Sequence, residues 1–169
     1  MEAKKSKTPV GILAHKTRSD TFLYSKMLHM DKSFNPDIED KSELFLKMNG
    51  RKLYQYALET VPQAIKDCLD KSNTQLSEIN KVLIHQANGK MDDAILKRLY
   101  ALYNTVDLPE NIMPMTVSFL GNTSVATLPT LLDMIIKNKL HPHSISEGDN
   151  LIFASVGAGM NINAVVYKV

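Results

Sequence analysis

The stretch Lys81–Tyr103, KVLIHQANGKMDDAILKRLYALY, decides the fold class. Lys81 to Ile84 is a short apolar run of the length of a buried strand. From Lys90 onward Ala94, Ile95, Leu99 and Leu102 recur at helical spacing, which predicts a helix to about Tyr103. Between them stands the polar tetrapeptide HQAN. A strand that passes straight into a helix is the building unit of α/β proteins.

The same unit recurs outward. Upstream, GRKLYQYALETVPQAIKDCLDKS (50–72) places Leu53, Tyr56, Ala57, Val61, Ala64, Ile65, Cys68 and Leu69 on one helical stripe. Pro62 predicts a kink or break near Thr60. Earlier still, PVGILAHKT (9–17) alternates as a strand, and Arg18 to Lys47 reads as an irregular excursion of the kind that serves a site or an interface. Downstream, MPMTVSFLGNTSVATLPTLLDMIIKNKL (113–140) reads as a strand, a turn and a third helix, with Thr123 or Ser124 as N-cap. SEGDNLIFASVGAGMNINAVVYKV (146–169) reads as two β runs hinged at Gly157-Ala158-Gly159, an antiparallel pair. The whole predicts an α/β domain over residues 9–169: a mixed sheet of about five strands with helices on its faces, behind a disordered tail over residues 1–8.

Composition narrows the function classes. A chain of 169 residues and 18.9 kDa is one domain, or one half of something larger. Twenty basic against eighteen acidic residues leave a net charge of +2, which gives no reason to expect nucleic acid or a membrane surface as partner. The single cysteine, Cys68, excludes an internal disulfide framework and fits a reducing, cytoplasmic setting. The basic N-terminal MEAKKSKTP lacks the apolar core of a signal peptide. His141 and His143 have no third ligand at zinc spacing, and no metal or cofactor is expected.

His85 stands where a strand ends and a helix begins, the place where open α/β sheets bind ligands. Its imidazole can donate, accept or act as a base there; alone, HQAN reads equally as a rim histidine satisfied by backbone. GNTS (121–124) repeats the geometry one unit later, and an Asn122 amide on a rigid turn is a good oxyanion donor. Alone, it reads as a turn plus a helix cap. Together with the glycine-containing turn between the last strands, the two describe a site for developing negative charge.

HQAN, GNTS and SVGAG, with Met48-Asn49-Gly50-Arg51 opening the long helix, resemble the C-terminal half of β-ketoacyl-acyl-carrier-protein synthase III, in the thiolase superfamily. The resemblance implies one half of a thiolase-like fold. It also implies decarboxylative Claisen condensation of an acyl-CoA with malonyl-carrier, the initiation of fatty-acid synthesis, without a cofactor. It makes His85 and Asn122 the catalytic donors to the thioester oxygen and Ala158 an oxyanion-hole N–H. Asn88 becomes a contact to the pantetheine arm and Lys90 a contact to the acyl carrier protein. The family's nucleophilic cysteine belongs to the N-terminal half, and Cys68, on an apolar stripe, is not its substitute. This chain alone is therefore expected to be inactive, a cloned piece of a longer enzyme that partners its N-terminal half, coenzyme A thioesters and, as a homodimer, a second copy. Two other readings share the scaffold: a non-catalytic module that binds an acyl carrier or partner, and a condensing enzyme of secondary metabolism.

Overall fold

The computed structural model describes residues 5–40 and 42–169. Half of the tail expected over residues 1–8 lies outside them, and residues 5–8 carry neither helix nor strand. The elements in chain order are β1 (Gly11–Ser19), α1 (Thr21–Tyr24), β2 (Leu28–Asp31), β3 (Phe45–Met48), α2 (Gly50–Ser72), β4 (Ile79–Ile84), α3 (Gly89–Ala101), α4 (Val117–Leu120), α5 (Thr127–Ile136), β5 (Asn150–Gly157) and β6 (Asn161–Lys168).

The main sheet has the order β1-β6-β5-β4; β2 and β3 form a separate two-stranded ribbon within the stretch that reads as irregular. β4 and β5 run parallel, with Ile84 opposite Ala154, so both end at the same edge of the sheet. β6 is antiparallel to both its neighbours. The sheet is mixed, with four strands rather than about five.

The missing strand is the one expected in MPMTVSFL. Gln86, buried beyond the end of β4, takes the backbone groups that a ladder would have used. Its Oε1 accepts from Thr116 N at 2.8 Å and Val117 N at 3.1 Å, and its Nε2 donates to Pro114 O at 2.8 Å. Just before the segment Val82 N donates to Ile112 O (2.8 Å), and the segment itself then coils into the single turn of α4.

Two further expectations are corrected. α2 runs through Pro62 without a break; the Thr60 hydroxyl donates to Tyr56 O at 2.5 Å, and Pro62 is itself buried. α5 begins at Thr127, preceded by a 3-10 turn over Ser124–Ala126, and neither Thr123 nor Ser124 caps a helix by its side chain. Ser124 has a φ of 52°, a left-handed value that does not suit an N-cap.

α2 and α3 cover one face of the sheet. Val61, Ile65 and Leu69 of α2 meet Ile152, Ile162 and Val166 there, all at most 1% exposed. The other face carries a smaller core in which Leu131 and Ile135 of α5 pack on Leu83. α5 does not reach across that face. Ile12, Phe153, Val165 and Tyr167 line an apolar groove beside Leu132 and Ile136. Among the described residues no helix is long and apolar enough to cross a membrane.

Candidate active site

His85 is delivered by the ladder itself: its N–H donates to Ala154 O of β5 at 2.9 Å, one step beyond the paired end of β4. The ring is half-buried, and its Nδ1 lies 3.1 Å from Ser124 O. A carbonyl only accepts, so the neutral ring carries its proton on Nδ1 and leaves a lone pair on Nε2. Burial pushes the His85 pKa down, against the opposing pull of the Ser124 carbonyl. At neutral pH the ring is thus uncharged, and Nε2 donates only when the imidazolium forms.

Asn122 binds the same residue from the other side. Its Oδ1 accepts from Ser124 N at 2.9 Å, which leaves the Nδ2 amide without a partner among the described residues. Ser124 is thereby bonded to His85 through its carbonyl and to Asn122 through its amide. Thr127, 1% exposed at the start of α5, supports the arrangement by donating to Ser124 O at 2.9 Å. Its hydroxyl lies 3.4 Å from His85 Nδ1.

Ala158 sits in the exposed turn at the end of β5, the sheet edge to which β4 also brings His85. No hydrogen bond joins it directly to His85 or Asn122 among the described residues. The positive φ angles of this turn fall on Gly159 (71°) and Met160 (54°), so an alanine at 158 is not strained. Asn88 is the N-cap of α3, its Oδ1 accepting from Lys90 N at 3.0 Å and Met91 N at 3.4 Å. Lys90 is exposed in the first turn of the same helix. Cys68 is 1% exposed, with its Sγ donating to Ala164 O at 3.5 Å, and burial pushes its pKa up. It is a packing residue whose thiol is kept protonated by burial, the pull of Lys71 and Lys16 being the smaller effect.

The sequence motifs thus place His85, Asn122 and Ala158 on neighbouring turns at one end of the sheet. Gln86 and Thr127 escape a motif reading as structural supports. Their signal was present: a long polar side chain directly after an apolar strand, and a threonine opening an apolar helix. Among the described residues no three His, Cys, Asp or Glu side chains gather as a metal site.

Residues 69–169 match the family described as 3-oxoacyl-acyl-carrier-protein (ACP) synthase III, C terminal. A β-ketoacyl-acyl-carrier-protein synthase III of Pyropia yezoensis is 31% identical over 165 residues, covering 94% of this chain and 47% of the relative. That of Porphyra umbilicalis is 35% identical over 123 residues, covering 73% and 34%. The crystal structure of the Thermus thermophilus β-ketoacyl synthase III superposes with a TM-score of 0.76 at 26% identity, over 98% of this chain and 48% of that one. The chain therefore spans between a third and a half of the relatives it matches.

Proposed function

The chain belongs to the 3-oxoacyl-acyl-carrier-protein synthase III family, and from that premise we propose that it supplies the decarboxylation site of a ketoacyl synthase III. In this reading a malonyl thioester binds with its thioester oxygen between Asn122 Nδ2, His85 Nε2 and Ala158 N–H. As the carboxylate leaves as CO₂, the electron pair of the broken C–C bond passes into an enolate whose oxygen carries the charge. Asn122 donates to it at any pH; His85 donates from Nε2 as imidazolium. The enolate carbon then attacks an acyl thioester on a cysteine of the family's N-terminal half, whose thiolate leaves. Preorganised donors aimed at developing charge are worth more than the same groups in water.

The observation that carries this reading is the joint hold of His85 and Asn122 on Ser124, at a strand end where helix N-termini converge. Asn88 and Lys90 open α3 beside it, suited to the pantetheine arm and the acidic face of an acyl carrier protein. Coenzyme A thioesters are the second substrate class, no cofactor takes part, and the setting is cytoplasmic. The groove on the far face of the sheet is the seat of the N-terminal half, or of a second copy in a homodimer.

Release of CO₂ from malonyl-CoA, measured with the chain alone and with an N-terminal half of a relative added, tests the proposal. Asn122→Ala lowers the rate by about 10² to 10³ at any pH, and His85→Ala does so in acid, where the imidazolium forms, with a smaller effect at neutral pH. Intact-mass measurement after acetyl-CoA shows no adduct on Cys68. Unchanged decarboxylation in both variants, or a stoichiometric Cys68 acetyl adduct, overturns it. Binding of malonyl-carrier without any CO₂ release, even with the added half, favours the non-catalytic module instead.

A further inference from the structure

The turn between β5 and β6 has one bond of its own, from Asn161 Nδ2 to Ala158 O at 3.1 Å, and buries the Met160 side chain. The ladder stops at Gly157 opposite Asn161, and the two residues with left-handed backbone, Gly159 and Met160, lie beyond it. Their carbonyls are taken by a different part of the chain, the corner between β1 and α1. Asp20 N–H donates to Met160 O at 3.0 Å. The Thr21 hydroxyl donates to Gly159 O at 2.5 Å. Tyr56 reaches in from α2, its hydroxyl 3.4 Å from Met160 O and 2.7 Å from the Asp20 carboxylate, to which it donates. Arg18 Nε donates to the same carboxylate oxygen at 2.7 Å.

The chemistry of this cluster suits a permanent brace. Tyr56 is 6% exposed on the core-facing stripe of α2, where a hydroxyl is costly unless bonded. Burial, and then its bond to Asp20, push its pKa up to about 12, so it stays a donor. The bonds from Tyr56 and then Arg18 hold the Asp20 carboxyl below the usual carboxylate range. Neither group changes charge between mildly acidic and alkaline pH. The bonds from Asp20 N–H and the Thr21 hydroxyl fall on the two consecutive carbonyls that follow the Ala158 peptide, and Tyr56 acts on the turn by holding Asp20.

We propose that Thr21, Asp20 and Tyr56 are positioning residues that fix the Ala158 peptide for the thioester oxygen. The inference rests on the assignment of Ala158 as an oxyanion donor. A backbone donor contributes only when held close to its productive geometry, and the bonds from the corner between β1 and α1 add to the hold that Asn161 and buried Met160 give the turn.

Amide hydrogen exchange of the ¹⁵N-labelled chain tests this without invoking turnover. Thr21→Val and Tyr56→Phe remove one hydroxyl each with little change of shape. Both raise exchange of the Asp20 amide, which is bonded to Met160 O of the turn, by about tenfold or more, while Ile152 and Val166 in the ladder stay within about twofold. Thr21→Ser, which restores the hydroxyl, returns that amide to its wild-type rate. Exchange of the Asp20 amide within about twofold of wild type in both variants overturns the proposal. Equal acceleration along β5 and β6 also overturns it, since the cluster would then be a general support of the sheet. A titration with a malonyl-CoA analogue bearing an amide in place of the thioester separates this from the site assignment. An Ala158 cross-peak that does not move in the wild type overturns the oxyanion role of Ala158. A cross-peak that moves equally in wild type and Tyr56→Phe overturns the brace instead.

Discussion

Asp92 is fully buried in α3, and neither carboxylate oxygen has a hydrogen-bond partner among the described residues. Burial, and secondarily the charge of Asp93, push its pKa up to about 7 from 3.8. Between those values the folded chain keeps a proton that the unfolded chain has released. Asp92 therefore leaves stability intact below about pH 4, costs about 1.4 kcal/mol per unit as pH rises to about 7, and adds no slope above that. Urea denaturation from pH 4 to 8 should show this decline, Asp92→Asn should flatten it, and Asp92→Leu should be the more stable protein at pH 8. A profile unchanged by Asp92→Asn would refute the account. The glycines of the terminal turn make a second residue-scale contrast. A Cβ at Gly159 would lie 2.9 Å from Asn161 Nδ2 at a φ of +71°, whereas one at Gly157 meets nothing within 4 Å. Gly159→Ala should cost about 1–2 kcal/mol and Gly157→Ala less than about 0.5, by thermal unfolding. Equal costs would show that the left-handed backbone is not the constraint. His85 and Asn122 were legible because motifs mark them; the need for glycine at 159 rather than 157 was not, because φ is a property of the closed turn.

Helices declare themselves more plainly than the strands beside them. α2, α3 and α5 follow their apolar periodicity, while the capping of α3 by Asn88, expected only as a substrate contact, comes from the structure. MPMTVSFL misleads because its apolar residues have strand spacing while its backbone partners come from one side chain, Gln86. That substitution of side chain for ladder is invisible to any pattern of hydrophobicity. Gln86→Leu keeps the volume but leaves Thr116 N–H, Val117 N–H and Pro114 O unsatisfied in a buried place, so it should cost about 2–4 kcal/mol. Chemical denaturation measures the cost. A loss below about 0.5 kcal/mol would show that the segment does not depend on Gln86. The break foreseen at Pro62 failed for a related reason: a long helix packed along a sheet is held by tertiary contacts that outweigh one missing N–H.

The molecule as a whole exposes 10709 Å², against roughly 8,300 Å² for a compact monomer of its mass. The excess fits a sheet covered fully on one face and partly on the other. α5, TLPTLLDMII, is apolar nearly all round, and the structure divides that circumference: Leu131 and Ile135 are buried, while Ile136 is 64% exposed beside the groove. What the sequence could not show is that β5 and β6 add Phe153, Val165 and Tyr167 to the same patch, since alternation assigns side chains to faces but not faces to neighbours. An apolar face of this kind should drive self-association at micromolar concentration, read by sedimentation velocity, and Ile136→Lys should weaken it. A wild-type chain that sediments as a monomer would sink that expectation. The strand order carries a different consequence, for biogenesis. β1 precedes the other described strands in sequence, and among the described residues its neighbour in the sheet is β6, the last of them, with Gly11 beside Lys168. At ribosomal speeds of about 5–20 residues per second, the first strand waits on the order of ten to thirty seconds for its mate. Throughout that interval a nascent chain presents an open edge and the bare apolar stripe of α2, which makes this protein a natural client for chaperones that shield emerging polypeptides.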